Sequence, residues 1–228
     1  MPSAIEIKNL SHRFALRWAL KNIDLKAFAG ESVAVLGPNG CGKSTLLRIL
    51  ATRLTPTLGG GRILGSDLRK EAGGLRTETE WLGHDLGFYK TLLAEENLAF
   101  SSRLKGKKIA RAKILEAMEA VGLNEHAQKF FGALSSGQKK RLALARILIE
   151  NPSLILLDEP HTNLDKNGKV LMNGLIGRWK KEGKTIWMAS HDHAEILSLC
   201  DQALILNEGK IIYFGEPNEV LTRFAGHL

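Results

Sequence analysis

Eight consecutive residues, Gly37-Pro38-Asn39-Gly40-Cys41-Gly42-Lys43-Ser44, are suited to hold phosphate. They fit G-x-x-x-x-G-K-[ST] at every fixed position. The glycines let backbone N–H groups curl around phosphate oxygens, and the start of the next helix adds partial positive charge. Lys43 can reach the β- and γ-phosphates of a nucleotide, and the Ser44 hydroxyl can ligate Mg²⁺. Thr45 completes the nucleotide-contacting set. Cys41 reads as a small residue facing the helix.

A second group is acidic. Leu154-Ile155-Leu156-Leu157 runs into Asp158-Glu159-Pro160. Strand alternation predicts that the two acids face opposite ways. Asp158 is then placed to hold Mg²⁺, and Glu159 to accept a proton from an attacking water. A third group, Leu134-Ser135-Ser136-Gly137-Gln138, precedes a helix carrying Lys139, Lys140 and Arg141. Ser135 is a good N-cap, and the small residues leave backbone N–H groups open to an anion. Taken alone, this third segment reads more readily as an ordinary capped helix.

The surrounding elements must hold these groups. Ile5–Leu10 and Ile23–Phe28 alternate apolar and polar residues, as half-buried strands do. Val33–Leu36, Leu154–Leu157 and Thr185–Ala189 are short apolar runs of the kind found in buried parallel strands. Residues 92–150 are mostly helical in pattern. Ile114, Leu115, Met118 and Val121 recur at helical spacing before Gly122, and Leu142, Ala145, Leu148 and Ile149 before Pro152. Ala203–Leu206 and Ile211–Phe214 flank a hairpin turn at Asn207-Glu208-Gly209-Lys210. Strands alternating with helices predict an α/β core with a largely parallel sheet, with polar clusters at strand ends where ligands bind.

The chain has 228 residues, a formal charge of +8, 44% hydrophobic and 25% charged residues. These values exclude a disordered chain, a collagen and a coiled coil. Two cysteines, Cys41 and Cys200, exclude a disulfide scaffold and favour a reducing compartment. No basic, apolar leader opens the sequence, and no apolar run reaches the ~18 residues needed to span a bilayer. The basic excess suits a solvated surface, nucleic acid, an anionic membrane face or a phosphate ligand.

The order of phosphate loop, Leu-Ser-Ser-Gly-Gln, Asp-Glu strand end and Ser190-His191 resembles the ATP-binding cassette (ABC) ATPases over nearly the whole chain. The resemblance implies a P-loop NTPase core with a mainly parallel sheet, an N-terminal antiparallel β part and an inserted helical subdomain at about 84–152. All of this would lie within one nucleotide-binding domain, 1–228. It implies ATP and Mg²⁺ as ligands, and a head-to-tail pair in which ATP lies between the phosphate loop of one chain and Ser135-Ser136-Gly137-Gln138 of the other. Phe14 looks like the aromatic that stacks on adenine, with Trp18 a weaker candidate. Asp165 looks like the loop residue that touches the second subunit. His191 looks like the histidine that contacts the γ-phosphate and orders the water.

The family usually has a glutamine after the strand near residue 82, and His84 stands there instead. A neutral imidazole can accept a hydrogen bond or ligate a metal, so His84 is a candidate for both catalysis and Mg²⁺. Leu82-Gly83-His84-Asp85-Leu86-Gly87, continuing to Glu96-Asn97-Leu98, is similar to the haem-exporter ATPases of cytochrome c maturation. The resemblance implies separate integral-membrane permease subunits as partners and a peripheral place on the cytoplasmic face of the cell membrane. Phe88, Tyr89 and Leu92 are candidate permease contacts. Other small export ATPases, such as lipoprotein-release, peptide (bacteriocin) or drug-efflux subunits, are the alternative, as is a soluble ATPase acting on nucleic acid, ribosomes or cofactor assembly. Translation-type members carry two cassettes and this chain carries one, so no nucleic-acid partner is expected. No Asn-Lys-x-Asp motif for reading guanine is present.

Overall fold

A computed structural model describes residues 2–190 and 197–223. In chain order the strands are β1 (Ser3–Phe14), β2 (Arg17–Phe28), β3 (Ser32–Leu36), β4 (Leu58–Ile63), β5 (Ser66–Asp67), β6 (Thr79–Leu82), β7 (Leu154–Asp158), β8 (Thr185–Ala189), β9 (Gln202–Asn207) and β10 (Lys210–Gly215). The helices are α1 (Lys43–Leu50), α2 (Ala72–Glu78), α3 (Ala94–Leu104), α4 (Arg111–Ala120), α5 (Ser136–Glu150), α6 (Lys166–Lys181) and α7 (Pro217–Arg223).

Two sheets form. The larger has six strands in the order β10-β9-β3-β8-β7-β6. Its pairs are parallel except β9 with β10. That last pair turns at Glu208 and Gly209, whose φ angles of 47° and 79° match the twist of a tight hairpin. The smaller sheet has the order β2-β1-β4-β5 and is antiparallel throughout. A mainly parallel core sheet, an antiparallel N-terminal sheet and a helical part inserted between β6 and β7 are the parts that the sequence resemblance implies.

Sequence alternation in the central strands decides the layering. Ala34, Leu36, Ile155, Leu157, Ile186 and Met188 face the helical insert and α6. Val33, Val35, Leu154, Leu156, Trp187 and Ala189 face α1 and the smaller sheet. A strand buried on both faces reads as a continuous apolar run, which is why β3, β7 and β8 were legible as such. Strand β4 was not: Leu58-Gly59-Gly60-Gly61 has no apolar alternation, and its pairing with β1 supplies the order instead. Helix α5 is buried from Leu142 through Ile147 on every side, unlike an amphipathic surface helix. It forms the spine of the insert.

Candidate active site

The phosphate loop leaves β3 and enters α1 through two backbone conformations that favour glycine. Gly37 has φ 130° and Gly42 has φ 116°. A Cβ would lie 2.0 Å from Leu206 O at the first and 2.6 Å from Ala19 O at the second. Leu46, Leu47, Ile49 and Leu50 are fully buried, so the core holds α1 and with it the loop. Lys43 is buried, and its Nζ donates to Gly37 O at 2.6 Å and Pro38 O at 3.1 Å. The loop thus wraps its own ammonium. Cys41 is also buried, and desolvation pushes its thiol up against the opposing pull of Lys43.

Ser44 Oγ donates to Asp158 Oδ1 at 3.0 Å, joining the loop to the end of β7. A hydroxyl beside a carboxylate is a hard-oxygen donor pair. It suits Mg²⁺, which keeps several waters and takes phosphate oxygens for its remaining positions. Among the described residues no group of three or more His, Cys, Asp or Glu gathers to hold a metal by itself.

The expectation that strand alternation separates the two acids is corrected. Strand β7 stops at Asp158, and Glu159 sits in the left-handed region at φ 55°. Its N–H donates to Ala189 O at 2.8 Å. A turn, not the pleat, sets the path of the backbone at Glu159. Such a conformation is strained for a non-glycine residue and needs surrounding support. Lys140 provides some: it is buried, and Nζ donates to Glu159 O and Thr162 O, each at 2.7 Å. Burial holds its ammonium down to about 8, against the opposing carboxylates of Glu159 and Asp158. His161 braces the same turn, its Nε2 lying 2.7 Å from Asn173 Oδ1 on α6.

His84 follows β6 on an exposed segment whose two ends are gripped by one residue. Arg146 of α5 donates to Trp81 O at 3.3 Å, Leu86 O at 2.7 Å and Glu80 Oε2 at 3.1 Å. Its guanidinium also lies 4.7 Å from the Phe88 ring centroid. Sequence reasoning passed over Arg146; the signal was an arginine interrupting the apolar stretch Leu142–Ile149.

Two cavities adjoin these groups. One, of about 220 Å³, is walled by Asn39, Gly40, Gly42, Lys43, Ser44 and Thr45 together with His84, Asp158 and Glu159. The other, of about 170 Å³, is walled by the same His84, Asp158 and Glu159 but also by Ser136, Lys139 and Lys140. The fold therefore brings His84 and both acids to the phosphate loop. It sets Ser136 on their other side.

Ser135 caps α5. Its Oγ accepts from Gln138 N–H at 3.2 Å while Gln138 Oε1 accepts from Ser135 N–H at 2.9 Å, a reciprocal capping box. Gly137 lies close to the 159–165 turn: a Cβ there would be 3.3 Å from Asn163 O. Asp165 is engaged within its own chain. It caps α6 by accepting from Gly168 N–H at 2.8 Å and pairs with Arg141 at 3.2 Å, and these bonds hold its carboxyl below the usual range. Phe14 ends β1 half-exposed, with its ring edge-on to His12 at 4.7 Å. Trp18, rather than Phe14, walls a cavity of about 440 Å³ shared with Pro38, Asn39, Gly40 and Cys41. His191 lies outside the described residues.

The comparisons agree with this geometry. The ABC transporter family profile matches residues 20–162. The chain is 39% identical over 208 residues to the aliphatic sulfonates import ATP-binding protein SsuB of Pseudomonas fluorescens, spanning 91% of this chain and 75% of that protein. It superposes on a dimeric ATP-binding cassette in a post-hydrolysis state bound to ADP and Pi with a TM-score of 0.86, at 26% identity, over 93% of this chain and 98% of that one. It also superposes on cbiO1 of Clostridium perfringens, part of the ABC transporter complex cbiONQ, with a TM-score of 0.80 at 29% identity, over 98% of this chain and 92% of that one. No helix among the described residues is long and apolar enough to cross a membrane. A phosphate loop, an acid pair and a second helix-capping loop on this fold, with these relatives, place the chain in the ABC transporter family, as an ATP-binding ATPase subunit.

Proposed function

We propose that residues 1–228 form one nucleotide-binding unit, with 84–152 as its helical part, and that two copies pair head to tail as the motor of a transporter. The observation that carries this is the shared wall. His84, Asp158 and Glu159 border both cavities, while the phosphate loop borders one and Ser136 the other. Ser136 does not wall the phosphate-loop cavity of its own chain, which supports its supply by a second copy.

In the paired site Lys43 and the loop N–H groups bind the phosphates, and Phe14 or Trp18 stacks on the base. Glu159 takes a proton from the attacking water, with His84, on the wall of the same cavity, to order it; the same role for His191 rests on the sequence resemblance alone. Ser44 and Asp158 would hold Mg²⁺, which would supply charge neutralisation at the phosphates. Ser135, Ser136, Gly137 and Gln138 of the second copy close over the nucleotide, beside Asp165.

The permease partner meets the groove between β6 and the end of α3. This groove, of about 540 Å³, is lined by Arg53, Arg76, Lys105 and Arg146 against the single acid Glu80. Its edge leads directly to the segment carrying His84, and Tyr89 is exposed there. Phe88, by contrast, packs on Phe131 at 5.1 Å. The chain then sits peripherally on the cytoplasmic face.

Haem export is the cargo reading supported by Leu82-Gly83-His84 in place of the usual glutamine segment. Import of a small organic anion is the second reading, favoured by the 39% identity to a sulfonate import protein. One preparation tests both. The Glu159→Gln chain, purified from its own membranes in Mg²⁺ and ATP, is expected as an ATP-bound dimer with little turnover and with multi-span proteins attached. Haem absorbance in that complex supports export. A multi-span partner without haem that binds alkylsulfonates supports import. Full turnover overturns the role of Glu159, and soluble or ribosomal partners alone overturn the transporter reading.

A further inference from the structure

The amide of Gln138 is used at both ends. Its oxygen accepts from Ser135 N–H at 2.9 Å, and its nitrogen lies 2.6 Å from His126 Nε2. A backbone N–H can only donate, so the atom it meets must be the amide oxygen. That fixes the orientation of the amide and turns its NH₂ group toward His126. The NH₂ group can itself only donate, so His126 Nε2 must be the bare, accepting nitrogen. The ring proton is then on Nδ1, whereas a free neutral imidazole favours Nε2–H. Nδ1 is sealed from solvent and has no hydrogen-bond partner among the described residues. Nothing on the Nδ1 side selects this tautomer. The Gln138 contact selects it, at the expense of a buried, unpaired N–H.

The consequence reaches the second anion loop. His126 belongs to a single helical turn, Asn124–His126, that follows α4 and lies outside α5. Through Gln138 it holds the oxygen on Ser135 N–H, and through the capping box it holds Ser135 Oγ on Gln138 N–H. Two of the loop's donors are thereby occupied internally. The N–H groups of Ser136 and Gly137, which no bond within the helix can use, stay aimed outward. With Nε2–H, an N–H would face an N–H, and the amide would have to leave either His126 or Ser135.

We propose that His126, as the Nδ1–H tautomer, is a positioning residue that sets the shape of the Ser135–Gln138 loop for a nucleotide held by a second copy. The proposal rests on the paired-site reading given above.

The first test is spectroscopic and independent of that reading. Long-range ¹H–¹⁵N correlation of the full chain at neutral pH is expected to show His126 with a bare Nε2 and a protonated Nδ1, and Gln138→Met is expected to return the ring to the Nε2–H form. An Nε2–H signal in the unaltered chain overturns the proposal. The second test is kinetic. His126→Leu removes the acceptor and is expected to lower ATPase kcat/KM by about three- to tenfold, the scale of one lost hydrogen bond. Nucleotide affinity of the dilute monomer should not change. His126→Gln keeps an acceptor within reach and is expected to restore most of the rate. Equal losses in the Leu and Gln variants overturn the positioning role. Ser136→Glu is the control for the underlying reading, since a carboxylate there would repel a bound nucleotide. If Ser136→Glu turns over normally, the paired-site reading fails and the kinetic role of His126 falls with it, while the tautomer result still stands on the spectrum.

Discussion

Lys140 ties a buried charge to the Glu159 turn. Its ammonium is held down to about 8 by desolvation, and it supports the strained backbone at Glu159 through two carbonyls. The folded value lies below the ordinary lysine value of 10.5, so folded chains release this proton first and unfolding takes one up between about pH 8 and 10.5. Stability from this group therefore rises with pH across that window. The tether itself weakens over the same range, because a neutral amine donates less strongly than an ammonium. The two signs oppose. Turnover is expected to fall above about pH 8 while the melting temperature gains a rising contribution from the same group. A pH–rate profile of Lys140→Arg, which keeps its charge, should lack that alkaline limb; an unchanged limb would assign it elsewhere.

Helix α5 is the element that relates the two loops. Its N-terminus carries Ser135–Gln138, its middle carries Lys140 under the Glu159 turn, and Arg146 near its end grips the His84 segment. These positions lie on successive turns of one rigid rod, so a shift at one end is felt at the others. Arg146 and Glu80 are both buried, and Lys105 also engages Glu80. Arg146→Met leaves Glu80 with one cation in place of two and frees the carbonyls of Trp81 and Leu86. Urea unfolding is expected to show a loss of about 3–5 kcal/mol, the scale for breaking one side of a buried pair. Surface salt bridges such as Arg178–Glu182 are worth far less, and removing one serves as the control.

At the scale of the whole molecule, the division of the site between two cavities gives a complementation prediction. Lys43→Ala disables the phosphate loop and Ser136→Glu disables the second loop, so each variant alone is expected to be inactive. A mixed dimer of the two regains one intact composite site. At equal mixing about a quarter of the unaltered ATPase rate should return, since half the dimers are mixed and each has one working site of two. A site complete within one chain would give no recovery, and steady-state ATPase assays of the mixture distinguish the two arrangements.

Local pattern was enough to reveal the phosphate loop, the Asp158-Glu159 strand end, the capped start of α5 and the buried parallel strands, because each depends on residue types at fixed short spacing. Sequence order also identified the family, since no single motif does but their succession does. What local pattern misassigned was the path of Glu159. A strand's alternation is a backbone rule, and the rule ends where the next residue takes a positive φ to bond Ala189. Strand β4 escaped notice because three glycines carry no pattern of their own and are ordered only by β1. The grip of Arg146, the two bonds of Lys140 and the tautomer of His126 join residues 12 to 66 positions apart. Such contacts follow from which helix face meets which turn, and that is decided by packing the insert onto the sheet. The sequence by itself determined the chemistry that is present; the tertiary structure decided which groups hold which others in place, because buried polar groups must find partners wherever the fold brings them.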